Sequence, residues 1–357
     1  MKAYVLLLDG SVYEGTAHGD FKETVCNLAY HTAMAGYVEL LTDPVTMGQG
    51  LLMAYPLLGG AGVCKEDMES DKVQAAALLV HELCPAPSNF RSEGDVDSFL
   101  KEYGVPCISD LDTRAIVRHL GQKGTMKAIL TDDISDKEAL LAKLQATEIV
   151  PSLTEASHRQ ETVYGAENDG VQLAFLDFGA VRSTIAAFKD RNCKVTVYPA
   201  DTKAEHILET KPDAIVLSEG PGNPNEYTVQ IAEVKTLVES GIPMLGIGLG
   251  HEFLALAAGA KVEKMQTGHH GSNYPVSVPH KQKAFLSVQN HDYAVLEEDL
   301  PKCLEIMARN VNDSSVEVMR FTEKPIISVA FRPTAKVGPQ STDFVYDRIL
   351  ELAKEAK

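Results

Sequence analysis

The stretch Pro243-Met244-Leu245-Gly246-Ile247-Gly248-Leu249-Gly250-His251-Glu252 reads as an apolar strand passing through a tight turn into a helix. That local architecture lifts a nucleophile to the start of a helix, where backbone N–H groups can stabilise an oxyanion. The residue at the apex is Gly248, which has no side chain to present. Such turns are strained for a residue with a Cβ, so glycine is expected to relax this one and slightly stabilise its surroundings. Glu252 lies four residues on, on the same helix face, and its carboxylate is expected to point toward the same site. His251-Glu252 opens like the H-E-x-x-H helix of zinc proteases, but the position due to hold the second His is Ala255. His269 and His270 could offer two metal ligands, although adjacent residues rarely converge on one ion without further Cys or carboxylate groups. No metal or cofactor is expected, and the pair is read as holding its loop.

The elements around the elbow alternate. Apolar runs at 173–176, 195–198 and 213–217 read as strands, and 183–190 and 228–240 as helices. In the latter, Ile231, Val234, Leu237 and Val238 share a face. This alternation predicts a mostly parallel sheet flanked by helices, whose sites lie at the carboxyl ends of the strands. The loops at Gly220-Pro221-Gly222, Gly248 and Phe331-Arg332 are therefore expected to converge. The N-terminal part mixes strands and helices. Residues 3–8 and 12–13 flank Asp9-Gly10, a hairpin signal; 96–102 and 113–120 have helical periodicity, and 105–108 reads as a strand. Residues 149–170 turn polar without an amphipathic period, as a linker would. The expected division is 1–148, a linker at 149–170, and 171–357.

The 357 residues are 45% hydrophobic and 23% charged, which suits a globular chain long enough for two cores. A net charge of −17 repels phosphate backbones and anionic lipid surfaces, so nucleic-acid and membrane roles are not expected. No signal-peptide pattern or membrane-length apolar run occurs, and a cytoplasmic location is expected. Cys26, Cys64, Cys84, Cys107, Cys193 and Cys303 show no C-x-x-C spacing and read as reduced thiols. A substitute nucleophile among them stays open, but none lies in a strand-turn-helix context.

Gly246-Ile247-Gly248-Leu249-Gly250-His251-Glu252 resembles the G-I-C-L-G-H-Q signature of class I glutamine amidotransferases, specifically the carbamoyl-phosphate synthase small subunits. The resemblance covers nearly the whole chain. Tyr30 to Tyr37 is similar to that family's F-N-T-S-M-T-G-Y, and Leu41-Thr42-Asp43-Pro44 to its L-T-D-P. Ser88 to Arg91, Asp110 to Arg114, Asp177 to Ala180, Gly220 to Pro224, Gly268 to Gly271 and Gln289-Asn290-His291 also match. The resemblance implies an N-terminal small-subunit domain followed by a class I amidotransferase domain.

It also implies a Cys–His–Glu triad, and here the three positions hold Gly248, Arg332 and Thr334. A thiolate needs a base within reach, and that base needs an acceptor; arginine stays protonated and cannot serve. The glutamine pocket implied by the resemblance falls on Ala33, Gly220, Gly222, Leu249, Glu252, Asn290, Asp292 and Tyr293. Of these, Ala33, Glu252 and Asp292 depart from the family's Ser, Gln and Gly.

The leading expectation is a small-subunit homologue without glutamine hydrolysis, acting as a structural or regulatory partner of an ammonia-using large subunit in carbamoyl phosphate synthesis. One rival is a working amidotransferase subunit that supplies ammonia for arginine and pyrimidine biosynthesis. Another is a module that senses glutamine or a different small carboxylate. A further expectation is that Glu252 and Arg332 form an ion pair that closes the old pocket.

Overall fold

A computed structural model describes residues 1–278, 283–333 and 342–356. The chain divides into two compact units, Met1–Pro151 and Ser152–Lys357.

The first unit is built on a closed barrel of seven strands. In barrel order they are Lys2–Leu7, Val12–Gly19, Pro106–Ser109, Ala77–Leu79, Gln49–Met53, Thr24–His31 and Met126–Thr131. The Asp9-Gly10 hairpin forms as expected, with Lys2 to Leu6 paired against Thr16 to Val12. The helices Val96–Glu102 and Thr113–Lys123 begin at Asp95 and Asp112, whose carboxylates accept from the backbone N–H of Ser98 and Ala115. Ala33 lies buried just beyond the strand Thr24–His31.

The second unit carries a ten-stranded sheet. The strands Lys194–Tyr198, Gln172–Leu176, Ala214–Leu217, Met244–Ile247 and Ile326–Val329 run parallel in that order. Their side chains alternate between two cores. Leu173, Phe175, Ala214 and Val216 pack with Phe188 and Tyr346 on one face, whereas Ala174, Leu176, Ile215 and Leu217 pack with Val234 and Phe253 on the other. Both faces are thus covered by helices, as the near-continuous apolar strands require.

One expectation needs correction. The segment 149–170 is not a bare linker: Leu153–Ala156 is helical, and Thr162–Tyr164 adds an antiparallel edge strand beside Lys194–Tyr198. A three-residue edge strand with little buried surface leaves no apolar period to read. The sheet is also extended beyond Ile326–Val329 by four antiparallel strands, Val316–Phe321, Leu304–Asn310, Val262–Val278 and Lys283–Val295. Among the described residues no helix is long and apolar enough to cross a membrane.

Candidate functional site

The elbow forms where the sequence placed it. The fully buried strand Met244–Ile247 delivers Gly248 at φ 54° and ψ −114°, and the helix Leu249–Ala257 follows at once. The positive φ survives although no nucleophile is present, so the turn keeps a geometry that only glycine adopts without strain. Gly250 locks the helix onto the neighbouring strand, with its N–H donating to the Ser218 carbonyl at 3.0 Å. A Cβ at Gly250 would collide with the Leu217 carbonyl.

The neighbouring strand Ala214–Leu217 ends in Ser218-Glu219-Gly220-Pro221-Gly222. Gly220 packs against Leu249, and a Cβ on Gly222 would fall on the Tyr227 hydroxyl. Beyond the other neighbour, Ile326–Val329, comes Arg332; the Val329 carbonyl accepts from Gly248 N–H at 2.9 Å. The Gly220 and Arg332 loops therefore flank the elbow as expected. Thr334 lies outside the described residues.

Sequence reasoning missed Glu219. Its Cβ is 3.2 Å from where a Cβ on Gly248 would sit. Its side chain is 5% exposed, and Oε1 lies 3.5 Å from Arg332 Nε. The same oxygen accepts from Thr184 Oγ at 3.0 Å and from Val181 N–H at 3.4 Å. The Arg332 contact is an ion pair without hydrogen-bond geometry at Nε. The available signal was an acidic residue at an apolar strand end, directly before Gly-Pro-Gly.

The expected Glu252–Arg332 pair is absent among the described residues, because Glu219 supplies the carboxylate. Glu252 instead faces Asp292. Burial, followed by the Asp292 charge, pushes the Glu252 carboxyl well above the ordinary carboxylate range. Burial and a neighbouring carboxylate both disfavour the charged form that would attract a guanidinium.

The pleat of the Val262–Val278 and Lys283–Val295 hairpin puts His270, Asn290 and Asp292 on one side. His270 Nδ1 lies 2.8 Å from Asn290 Oδ1, and its Nε2 lies 3.2 Å from Asp292 Oδ1. Burial lowers the imidazole pKa, but the Asp292 carboxylate outweighs it and the net direction is up. For Asp292 burial raises, His270 opposes, and the net direction is down. Burial and the Asp292 charge push the Tyr293 hydroxyl up to about 12. His251 turns away from this group: its Nδ1 lies 2.9 Å from Ser328 Oγ, and burial drives its pKa down to about 3.

Gly220, Leu249, Gly248, Glu219 and Arg332 thus form one cluster, and Glu252, Asp292, His270, Asn290 and Tyr293 another close by. Neither offers a thiol beside a free base. Burial raises the thiols of Cys26, to about 12, and Cys193, to about 11, and no cysteine lies in the elbow loops.

Comparison with known proteins agrees with both units. Residues 5–130 match the family described as "Carbamoyl-phosphate synthase small chain, CPSase domain", and residues 174–352 match "Glutamine amidotransferase class-I". The chain is 38% identical over 353 residues to the carbamoyl phosphate synthase small chain of Clostridium perfringens, covering 99% of this chain and 100% of that one. It is 39% identical over 358 residues to the small chain of Archaeoglobus fulgidus, covering 99% of each. The barrel unit, the elbow-bearing parallel sheet and this full-length similarity together place the chain in the carbamoyl phosphate synthase small chain family.

Proposed function

We propose that this member of the family has lost glutamine hydrolysis and serves as a structural or regulatory partner of a synthase large subunit that draws on free ammonia. The observation that carries the reading is the elbow. Gly248 holds the backbone angles of a nucleophile position with no atom to attack, and the Glu219–Arg332 ion pair stands beside it. Hydrolysis by an elbow nucleophile needs that nucleophile and its base together, and such groups act as a unit. Arg332 accepts no proton, and its charge is already engaged by a carboxylate.

Partnership with a large subunit is supported by the similarity to small chains over the whole length, including residues 5–130. The sensor reading is weakened by Glu219, which answers the charge of Arg332 from within the protein. The test is ammonia release from glutamine by the purified chain, alone and with a cognate large subunit. The expected rate equals that of a glutamine blank. Turnover that rises in proportion to the concentration of this chain, across independent preparations, would restore the amidotransferase reading. Isothermal titration with glutamine is expected to show no heat of binding; saturable heat would revive the sensor.

A further inference from the structure

On the opposite face of the same hairpin, His269, Gln289 and His291 point away from Asp292. They meet Glu317 from the strand Val316–Phe321. The hydrogen bonds fix nearly every proton in this group. Ser287 Oγ donates to the Tyr274 carbonyl at 3.0 Å, so its lone pairs face the Gln289 amide nitrogen at 3.0 Å. That nitrogen also lies 2.7 Å from Glu317 Oε1. The amide is thereby oriented with NH₂ toward Ser287 and Glu317, and its oxygen points the other way.

The amide oxygen points at two ring nitrogens, His269 Nδ1 at 2.6 Å and His291 Nε2 at 3.1 Å. The other nitrogen of each ring faces a group that can only accept. His269 Nε2 lies 2.8 Å from Asp313 Oδ2, and His291 Nδ1 lies 2.8 Å from the Tyr293 carbonyl. In their neutral forms both rings must carry the proton there, so Nδ1 of His269 and Nε2 of His291 present lone pairs. In that doubly neutral state three lone pairs converge; the nearest donor is the Asn310 amide nitrogen, 2.7 Å from Glu317 Oε1 and 3.4 Å from His269 Nδ1. One added proton, on His269 between Asp313 and Glu317, would bond the amide oxygen, whereas protonating both rings would set two imidazoliums 5.1 Å apart in a buried site; at least one ring therefore keeps a lone pair toward that oxygen, and a bound cation takes the place of the proton. Glu317 is 0% exposed, and its Oε2 is buried with no hydrogen-bond partner.

We propose that His269 Nδ1, His291 Nε2 and the Glu317 carboxylate bind one divalent transition-metal ion, zinc being the closest match, with the Gln289 amide oxygen at the remaining position. Donor atoms of His269, His291 and Glu317 lie within 4.8 Å of one another. A tetrahedral zinc shell needs donor separations of about 3.3 Å, so the group must contract by roughly 1 Å or more on binding. Two imidazoles and a carboxylate are a recurrent zinc donor set. Asp313 already holds His269 as an outer carboxylate does in metal sites. The bound ion would tie three antiparallel strands together, and this role is independent of whether glutamine is hydrolysed. Sequence reasoning looked for convergence between His269 and His270, which the pleat sends to opposite faces; the missing carboxylate comes from a strand some fifty residues away.

The test is titration of the metal-stripped full chain with Zn²⁺ by calorimetry, and with Co²⁺ by visible absorption, at pH 7.5. One equivalent is expected to bind the wild type, with a tetrahedral cobalt band. Glu317→Gln is expected to weaken binding at least tenfold, and His206→Ala, on the exposed surface, to leave it unchanged. No saturable binding to the wild type, or equal binding by Glu317→Gln, would overturn the site. If Glu317→Gln does not fold, long-range ¹H–¹⁵N spectra of the wild type decide. Saturating Zn²⁺ must shift Nδ1 of His269 and Nε2 of His291, and unmoved resonances would overturn the proposal.

Discussion

Gly248 combines two facts that pull against each other. Its backbone sits at φ 54° and ψ −114°, and a Cβ there would come within 3.2 Å of Glu219. Gly248→Ala is therefore expected to lower stability by about 1–2 kcal/mol, measured by chemical denaturation. Gly248→Cys should lose as much and gain no glutaminase activity, because Arg332 cannot take the thiol proton. Glu252 yields a second expectation, with its sign fixed by the raised pKa. A carboxyl whose folded pKa lies above its unfolded value of 4.5 makes the fold less stable as pH rises through that window. Glu252→Gln should accordingly raise stability at pH 7.5, measured by chemical denaturation, with the gain fading below about pH 4.5. The His270–Asp292 pair behaves oppositely at its two ends. Its contribution is lost when pH rises through the raised imidazole pKa, and again when pH falls through the lowered Asp292 pKa. Asp292→Asn should move the His270 titration to lower pH in NMR and bring the Glu252 carboxyl down. At this scale the sequence identified Gly248, Glu252 and Arg332 as the residues to watch, yet it paired Glu252 with the wrong partner. Which of two carboxylates reaches a guanidinium depends on loop geometry. Nothing in the spacing distinguished Glu219, one residue before a glycine turn, from Glu252, four residues into a helix.

The elements were legible where a local period or punctuation exists. Helix Val96–Glu102 appeared with the bounds read from periodicity, and four of the five parallel strands appeared from their apolar runs, Ile326–Val329 being the one not read. The barrel closure, the edge strand Thr162–Tyr164 and the four antiparallel strands were not legible, because pairing between distant segments leaves no mark on either segment alone. The long hairpin Val262–Val278 with Lys283–Val295 mixes polar and apolar residues on both faces, since one face carries His270, Asn290 and Asp292 and the other His269, Gln289 and His291. Its two register shifts further blur the alternation. The strand–helix contact at the elbow gives the element-scale prediction. Gly250→Ala must push the Leu217 carbonyl and the helix apart and should cost about 1–3 kcal/mol, with a matching loss in thermal midpoint. Gly241→Ala, where nothing stands within 4 Å of the added methyl, should cost less and only through its φ of 75°.

On the scale of the whole molecule, both units match one family of small chains over their full length, so the partner reading rests on more than the elbow. Co-expressed with a cognate large subunit, the chain is expected to co-elute with it in size-exclusion chromatography at micromolar concentrations. Separate elution would remove the partner role while leaving the fold assignment intact. The central claim, loss of glutamine hydrolysis with retention of the assembly, is tested most directly by isotope transfer. The reconstituted complex is supplied with glutamine labelled with ¹⁵N at the amide, or with ¹⁵N-ammonium, and the product is analysed for label. Labelled carbamoyl phosphate is expected from ammonium and none above the blank from glutamine; label arriving from the glutamine amide would contradict the loss of hydrolysis.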